Sequence, residues 1–159
     1  MKKLFVIIST LSLISCANQA NEKLPDAEDH KMPMNTEDAS MAQPAIPTNA
    51  NVYFVNIKDG DIVKSPFKIV MGAEGIATDS AGHIKQASGH HHILIDVADS
   101  ISYGTIIPKD ENHLHFGNAQ TETELTLKPG KHRISLQYAD GMHRSYGGKL
   151  NTTITVTVN

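Results

Sequence analysis

An alternation of polar and apolar residues with a period of two, repeated from Val52 onward, constrains the fold of this chain most. In HRISLQYA, every second residue from His132 to Tyr138 falls on one side of an extended chain. The closing segment LNTTITVTV alternates in the same way, and no helical period of useful length is present. About seven such short strands in roughly a hundred residues predict an all-β fold, an immunoglobulin-like β-sandwich. A small barrel is the alternative.

The N-terminus carries the pattern of an export signal. Two lysines precede the apolar run 4–14, which is too short to span a bilayer and is typical of a cleaved signal. The run ends in LISC, which resembles the lipobox of bacterial lipoproteins. This predicts that residues 1–15 are a lipoprotein signal peptide and that Cys16 carries the lipid. Because Ala17 follows it, the pattern resembles lipoproteins sent to the outer membrane, on its periplasmic or surface face. An ordinary signal cut elsewhere is the alternative.

A change in composition divides the rest of the chain. Residues 17–50 are rich in Asn, Asp, Glu, Ala and Pro and have no apolar period, so we expect residues 16–50 to be a lipidated, disordered linker. The β-sandwich domain is then expected over residues 51–159. Within the linker, His30, Met32 and Met34 place one imidazole near two thioethers. Thioethers suit Cu(I), although such a group can also arise by chance in a polar linker.

Composition argues against several classes of partner. The formal net charge is −3 and no block of Lys or Arg follows the signal, which argues against nucleic acid. Tryptophan is absent and aromatic residues are few, so a stacking platform for sugars or bases is disfavoured. Cys16 is the only cysteine, so no internal disulfide can form and the fold must rest on its core.

Histidine is the unusual residue of this chain. Nine are present, eight of them between His83 and His143. Three open the strand HHHILIDVA, where His90 and His92 share one face about 7 Å apart and can both bind one metal ion. His91 falls on the opposite, apolar face and is expected to be structural.

Other histidines can complete a metal site. His113 and His115 repeat the spacing of two, and His143 follows Asp140 in a loop. Histidine-rich sites without thiolates suit Zn²⁺ or Cu²⁺. The predicted ligands are His90, His92, His115, His143 and Asp140, the last either as a ligand or as a hydrogen-bond partner of a ligand. A hydrogen-bonded patch without metal is the alternative.

Four further residues are candidates for structural or supporting roles. His132 alternates with core residues and is expected to be a hydrogen-bonded structural histidine. Asp96 shares the His90 face by alternation, so it either fixes a histidine tautomer or caps a strand end in solvent. Gln120 and Glu122 either bond the same histidines or shape a turn.

Several of these motifs together resemble a known family. SPFKIVMGAEGI, GHHHILID, HFGNAQTETELTLKPGKHRISLQYAD and the late His143 are similar to domain of unknown function family 4399, a family of bacterial secreted domains. The resemblance covers most of residues 52–158 and implies the fold and the place of a site, but it supplies no activity. It marks His90, His91, His92, Asp96, His115, Gly117, Gln120, Thr121, Glu122, Gly130, His132, Asp140 and His143. The family commonly has another glycine at Asn118 or Ala119.

Three functions are compatible with these patterns. The first is a cell-envelope lipoprotein that binds or handles zinc or copper without catalysis. The second is a metal-free module that binds an envelope protein or polymer, with structural histidines. The third is a metal-dependent envelope enzyme. No Ser-His-Asp or Glu-plus-metal signature stands out in the sequence, so catalysis is the least favoured of the three.

We predict that Cys16→Ala releases the protein from membranes and leaves the domain folded. Lipidated Cys16 is the one anchor that the sequence suggests, and each acyl methylene contributes about 0.8 kcal/mol to membrane binding. Labelled fatty acid should enter the wild type and not the variant. Equal recovery of both proteins in the membrane fraction would contradict the lipidation.

Overall fold

The computed structural model describes residues 42–159 of the chain. The predicted signal peptide, Cys16 and the linker up to residue 41 lie outside the described residues. Nine strands and one 3₁₀ helix, Gly147–Leu150, make up the regular structure of the described part. The strands are β1 Asn51–Phe54, β2 Ile62–Val63, β3 Phe67–Glu74, β4 Ala77–Thr78, β5 Ser88–Ile95, β6 His113–His115, β7 Glu122–Leu125, β8 Gly130–Ala139 and β9 Asn151–Val158.

The strands form two packed sheets, so the predicted all-β sandwich is confirmed. The smaller sheet has the order β1-β3-β7 and is antiparallel. The larger has the order β2-β9-β8-β5-β4, and β6 also pairs with β5. Strands β5, β6, β8 and β9 pair with one another in antiparallel fashion, whereas the two-residue strands β2 and β4 pair in parallel with β9 and β5. The short strands β2 and β4 account for the difference between the nine strands observed and the about seven expected from the sequence.

Alternation along the strands forms the core between the sheets. In the larger sheet, Ile93 is paired with Leu136 and Ile95 with Ile134, and all four side chains are buried. The smaller sheet contributes Val52 and Ile69 to the same cluster. Residues directly opposite each other in an antiparallel pair project to the same face, so these pairs define the inner face of the larger sheet. The period-two pattern of the sequence therefore correctly predicts which residues of β5 and β8 face the core.

The outer face of the larger sheet is also covered, which the sequence did not indicate. Every residue of β5 is buried, on both faces of the strand. On β8, the outward Gln137 is fully buried, and its side chain bonds the backbone of Ile101, Gly147 and Leu150. The segments that contain these backbone groups therefore lie over the outer face and exclude water from it.

Residues just before β1 belong to the folded domain. Gln43 donates hydrogen bonds to the carbonyls of Arg144 and Ser145, Ile46 packs against the core, and Ala50 is buried. The folded part therefore includes residues 43–50, which the composition had assigned to the linker. Apolar residues are sparse in this stretch, so its few contacts leave no periodic pattern in the sequence. Within residues 42–159, no helix has the length and apolar character to cross a membrane.

Candidate functional site

Four imidazoles meet on the outer face of the larger sheet. His90 and His92 project outward from β5, and His115 on β6 is the direct cross-strand partner of His92. His143 reaches the same place from the turn that follows β8. These four residues, His90, His92, His115 and His143, are termed the histidine cluster. The sequence predicted that these four would converge, and the structure brings them together.

The distances within the histidine cluster are short. Nε2 of His90 lies 3.0 Å from Nε2 of His92, and Nε2 of His115 lies 3.0 Å from Nε2 of His143. Ring centroids of neighbouring members are 4.7–5.1 Å apart, and the widest separation, between His92 and His143, is 6.1 Å. One nitrogen from each of His90, His92 and His115 lies within 4.8 Å of the other two. His90, His92 and His115 thus form a compact donor group. His143 contacts this group through its Nε2 pair with His115.

Strand register explains why these side chains converge. A spacing of two on β5 places His90 and His92 on one face, and antiparallel pairing sets His115 beside His92. The ring of His115 fills the space beside Gly117, where any Cβ would overlap it. Gly117 therefore permits the ring position that the cluster needs.

Asp140 holds the turn that positions His143. Its carboxylate accepts hydrogen bonds from the backbone N–H of Met142 at 2.8 Å and of Arg144 at 3.0 Å. It also accepts one from Nε of Arg144 at 2.7 Å, and it is fully buried. His143 has a φ of 65°, a left-handed conformation that costs free energy unless surrounding bonds fix it. The bonds described for the Asp140 carboxylate go to this turn and not to an imidazole, which makes Asp140 a support of the site.

Burial favours the neutral form of three members of the cluster. It lowers the pKa of His90 to about 3 and that of His92 to about 2, and nearby imidazoles add to both shifts. Burial also lowers the pKa of His115, with further contributions from His143 and from Lys109. Neutral imidazole is the form that binds metal, because the protonated ring has no free lone pair. At neutral pH these three rings are therefore ready to act as ligands.

Two pairs of nitrogens in the histidine cluster have the spacing of neighbouring ligands around one ion. Four nitrogens bound tetrahedrally to Zn²⁺ at its usual bond length lie about 3.3 Å from one another. The Nε2 pairs His90–His92 and His115–His143, each 3.0 Å apart, are close to this separation. Without metal, the same pairs are imidazole–imidazole hydrogen bonds, in which one ring donates and its neighbour accepts.

An open cleft of about 420 Å³ adjoins the histidine cluster. His92, His115 and His143 form one side of it, and the loop Ile106–Lys109 forms the other. The loop is held to the turn at His143 by a hydrogen bond from the Ile107 N–H to the His143 carbonyl. The loop wall is mostly apolar, with one lysine. The cluster is thus reachable from solvent on the side of His115 and His143, while His90 and His92 are buried.

His91 occupies the inner face, as the alternation predicted. It is fully buried, and its ring meets Tyr138 edge-on with centroids 4.9 Å apart. Neither ring nitrogen has a hydrogen-bond partner among the described atoms, and burial lowers its pKa to about 4. His91 is therefore part of the core and points away from the cluster.

Asp96 bonds a different histidine from those considered in the sequence. Strand β5 ends at Ile95, and Asp96 has a φ of 56°, so the alternation that placed it beside His90 and His92 no longer applies. Its carboxylate lies 2.7 Å from Nδ1 of His132 and accepts the N–H of Arg133. His132 also bonds the Lys128 carbonyl through Nε2, so it is a hydrogen-bonded structural residue near the beginning of β8.

Gln120 and Glu122 take part in other contacts. The Gln120 side chain accepts the N–H of Asn118 and shapes that turn, whereas Glu122 is exposed and pairs with Lys68 at 2.8 Å. The described bonds thus favour the turn interpretation for Gln120. His113 bonds Asp110 at 2.8 Å.

Sequence reasoning missed the cleft loop and the role of Gly117. The signal for Gly117 was available, since a glycine two residues after a candidate ligand often marks a close approach. The loop Ile106–Lys109 gave no comparable signal, because its place beside the cluster depends on a long-range backbone contact. The hydrogen bonds between Asp140 and the turn that positions His143 were missed for a similar reason, because alternation describes strands and not turns.

One comparison with known proteins gives a match. The family model described as "Domain of unknown function (DUF4399)" matches residues 69–159, which include the whole histidine cluster. The chain belongs to this family. The resemblance seen in the sequence is therefore confirmed. No curated protein and no solved structure matches the chain.

We predict that the metal-free protein loses stability as the pH falls from about 6.5 toward 4. The unfolded chain takes up protons near the usual histidine pKa, whereas buried His90, His91 and His92 resist protonation to about 3, 4 and 2. Stability is thus complete above 6.5 and falls below it, by about 1.4 kcal/mol per pH unit for each such histidine. His91→Phe should remove one of these contributions.

Denaturant unfolding in the presence of a chelator at several pH values would test this. The slope of the unfolding free energy against pH should be smaller by about 1.4 kcal/mol per unit in His91→Phe than in the wild type. His83→Gln, which changes an exposed histidine, is the matched control and should keep the wild-type slope. Equal slopes in all three proteins would contradict the neutral burial of His91.

Proposed function

We propose that this protein is a cell-envelope lipoprotein that binds one Zn²⁺ or Cu²⁺ ion through the histidine cluster and handles it without catalysis. The observation that carries the proposal is the compact donor group of His90, His92 and His115, whose nitrogens lie within 4.8 Å of one another. His143 supplies the fourth imidazole. Imidazole nitrogen suits both ions, and the absence of thiolate disfavours sites for softer metals.

A metal explains the cluster better than hydrogen bonding alone. Two imidazole–imidazole bonds leave Nδ1 of His90 and of His92 buried with no partner among the described atoms. Leaving a buried polar group unpaired costs about 1–3 kcal/mol, so a cluster with only a structural role would be a poor substitute for apolar packing. Structural zinc contributes roughly 10 kcal/mol or more in small domains, which far exceeds that cost.

The number of ligands favours storage or transfer over catalysis. Catalytic zinc sites keep three protein ligands and an open position for water, whereas closed sites use four. Here His143 is held beside His115 by a turn that the buried Asp140 fixes. Four imidazoles leave no position at a tetrahedral ion for an activated water.

The envelope location is the second part of the proposal. The export signal and the LISC sequence support lipidation of Cys16 and attachment to the outer membrane. A soluble domain on a lipidated tether would keep a metal site close to the membrane surface. The membrane, through the lipid, and a metal ion are thus the proposed partners, and nucleic acid is not among them.

We predict that the wild type binds one Zn²⁺ or Cu²⁺ per chain at pH 7.5 and that His115→Phe weakens binding by about a hundredfold or more. Phe keeps the size of the side chain while removing its nitrogens. His113→Gln is the matched control, because His113 shares the strand β6 and bonds Asp110. Isothermal titration of protein purified without a histidine tag or a nickel column would measure both affinities.

The alternative function, a metal-free module that binds an envelope protein or polymer, predicts the opposite result. Under that model the wild type shows no stoichiometric binding of either ion, and His115→Phe and His113→Gln behave alike. Such a result would overturn the metal proposal.

We predict that Asp140→Asn weakens metal binding by about tenfold or more without unfolding the domain. The amide loses the charged bond to Arg144 Nε that helps to fix the turn, and His143 is then less well placed. Asp99→Asn is the matched control, since Asp99 pairs with Arg133 at 2.9 Å on an exposed surface. Thermal melting would verify folding. Metal affinity equal to that of the control would contradict the positioning role.

A further inference from the structure

The cleft beside the histidine cluster has a polar side and an apolar side. Imidazoles of His92, His115 and His143 form the polar side, and the loop Ile106–Lys109 forms most of the apolar one. Ile106 is 66% exposed, so much of its side chain remains available to pack against a ligand. The volume of about 420 Å³ is in the size range of small-molecule sites. The cleft can therefore take a small molecule that has an apolar part.

Every ionisable side chain that lines the cleft is a base. The lining includes three histidines and Lys109, and it contains no carboxylate. Besides burial and His143, Lys109 lowers the pKa of His115, so its positive charge acts on that ring. Within residues 42–159, no carboxylate forms a salt bridge with Lys109. A negatively charged group is therefore the complement of this cleft.

Two ring nitrogens at the cleft are available to bond a ligand. Nε2 of His115 lies 3.0 Å from Nε2 of His143, and in the described part of the chain neither Nδ1 atom has a hydrogen bond. Unlike Nδ1 of His90 and of His92, these two atoms are not enclosed by protein. A histidine that binds metal usually donates its other ring N–H to a carboxylate, a carbonyl or water. For His115 and His143, the acceptor has to come from outside the described residues.

Metal binding changes what these two nitrogens offer. Without metal, one ring of the His115–His143 pair donates its proton through Nε2, so its own Nδ1 has no proton and can only accept. A metal ion bound to both Nε2 atoms leaves the proton of each neutral ring on Nδ1. No proton is gained or lost in this change of tautomer. The pair thus offers two Nδ1–H donors with metal and one without it.

We propose that the cleft binds a small organic carboxylate with an apolar chain, and that bound metal strengthens this binding. The carboxylate accepts hydrogen bonds from Nδ1–H of His115 and of His143, and Lys109 compensates its charge. The apolar chain packs against Ile106 and Pro108. The inference rests on the proposed function and names a second ligand of the same site. Because the four imidazoles keep the metal, the carboxylate bonds the rings and not the ion.

Isothermal titration of hexanoate into the full chain, loaded with one equivalent of Zn²⁺, tests the role of Lys109. We expect Lys109→Met to weaken hexanoate binding by about fivefold, because the variant loses the charge and keeps an unbranched apolar side chain. Lys58→Met is the matched control, since Lys58 is also exposed and does not line the cleft. Equal hexanoate affinities of the two variants would refute the role of Lys109 and with it the proposed anion site.

Two comparisons test the carboxylate and its coupling to metal. Hexanol has the same apolar chain without the charge, and we expect no measurable binding of it. Metal-free protein should bind hexanoate about tenfold or more weakly than the Zn²⁺-loaded form, and saturating hexanoate should raise the Zn²⁺ affinity by the same factor. Equal binding of hexanol and hexanoate, or equal hexanoate affinity with and without metal, would count against the proposal.

Nitrogen NMR of histidine-labelled, Zn²⁺-loaded protein shows which atoms the carboxylate meets. We expect hexanoate to shift the Nδ1–H signals of His115 and His143 while their Nε2 atoms remain bound to metal. Release of either Nε2 from the ion would show that the carboxylate binds the metal instead, contrary to the proposal. Zn²⁺ titration without hexanoate separates the two proposals. Stoichiometric Zn²⁺ binding with no hexanoate binding refutes only the carboxylate site, whereas absence of Zn²⁺ and Cu²⁺ binding refutes both.

Discussion

Removal of water from the outer face of the larger sheet is the constraint on which the site depends. In many sandwiches that face is solvated, but here β5 is buried on both sides. The same burial drives the pKa values of His90 and His92 far below neutrality. A covered sheet face thus keeps the imidazoles of His90 and His92 neutral at neutral pH. The segments that cover this face are held by hydrogen bonds between their backbone and the Gln137 side chain.

The support for the site comes from the turn after β8 as much as from the strands. Strand pairing alone places His90, His92 and His115, whereas His143 depends on the Asp140 carboxylate and a left-handed backbone. Three imidazoles are thus positioned by the sheet and the fourth by a local network. This division means that the fourth imidazole can shift without breaking a strand.

Much of this arrangement could be predicted from the sequence, because side chains alternate along a strand. Alternation assigned His91 to the core and placed His90 and His92 together on the opposite face, and the structure agrees. It failed for Asp96, where a positive φ just after the strand ends the alternation and directs the carboxylate to His132. The cover over the outer face was also beyond prediction. It is made by loops whose contacts join residues far apart in sequence, such as Ile101 and Gln137.

Gly117 carries a consequence for recognising this site in related chains. A side chain at position 117 would occupy the volume that the His115 ring now fills, so the ring would be displaced even though every histidine remained. The presence of all four histidines in a relative is therefore not sufficient to show that the relative has this cluster. A relative that keeps all four histidines but has a larger residue at this position must place its His115 ring elsewhere, whereas one that keeps the glycine retains the room for it.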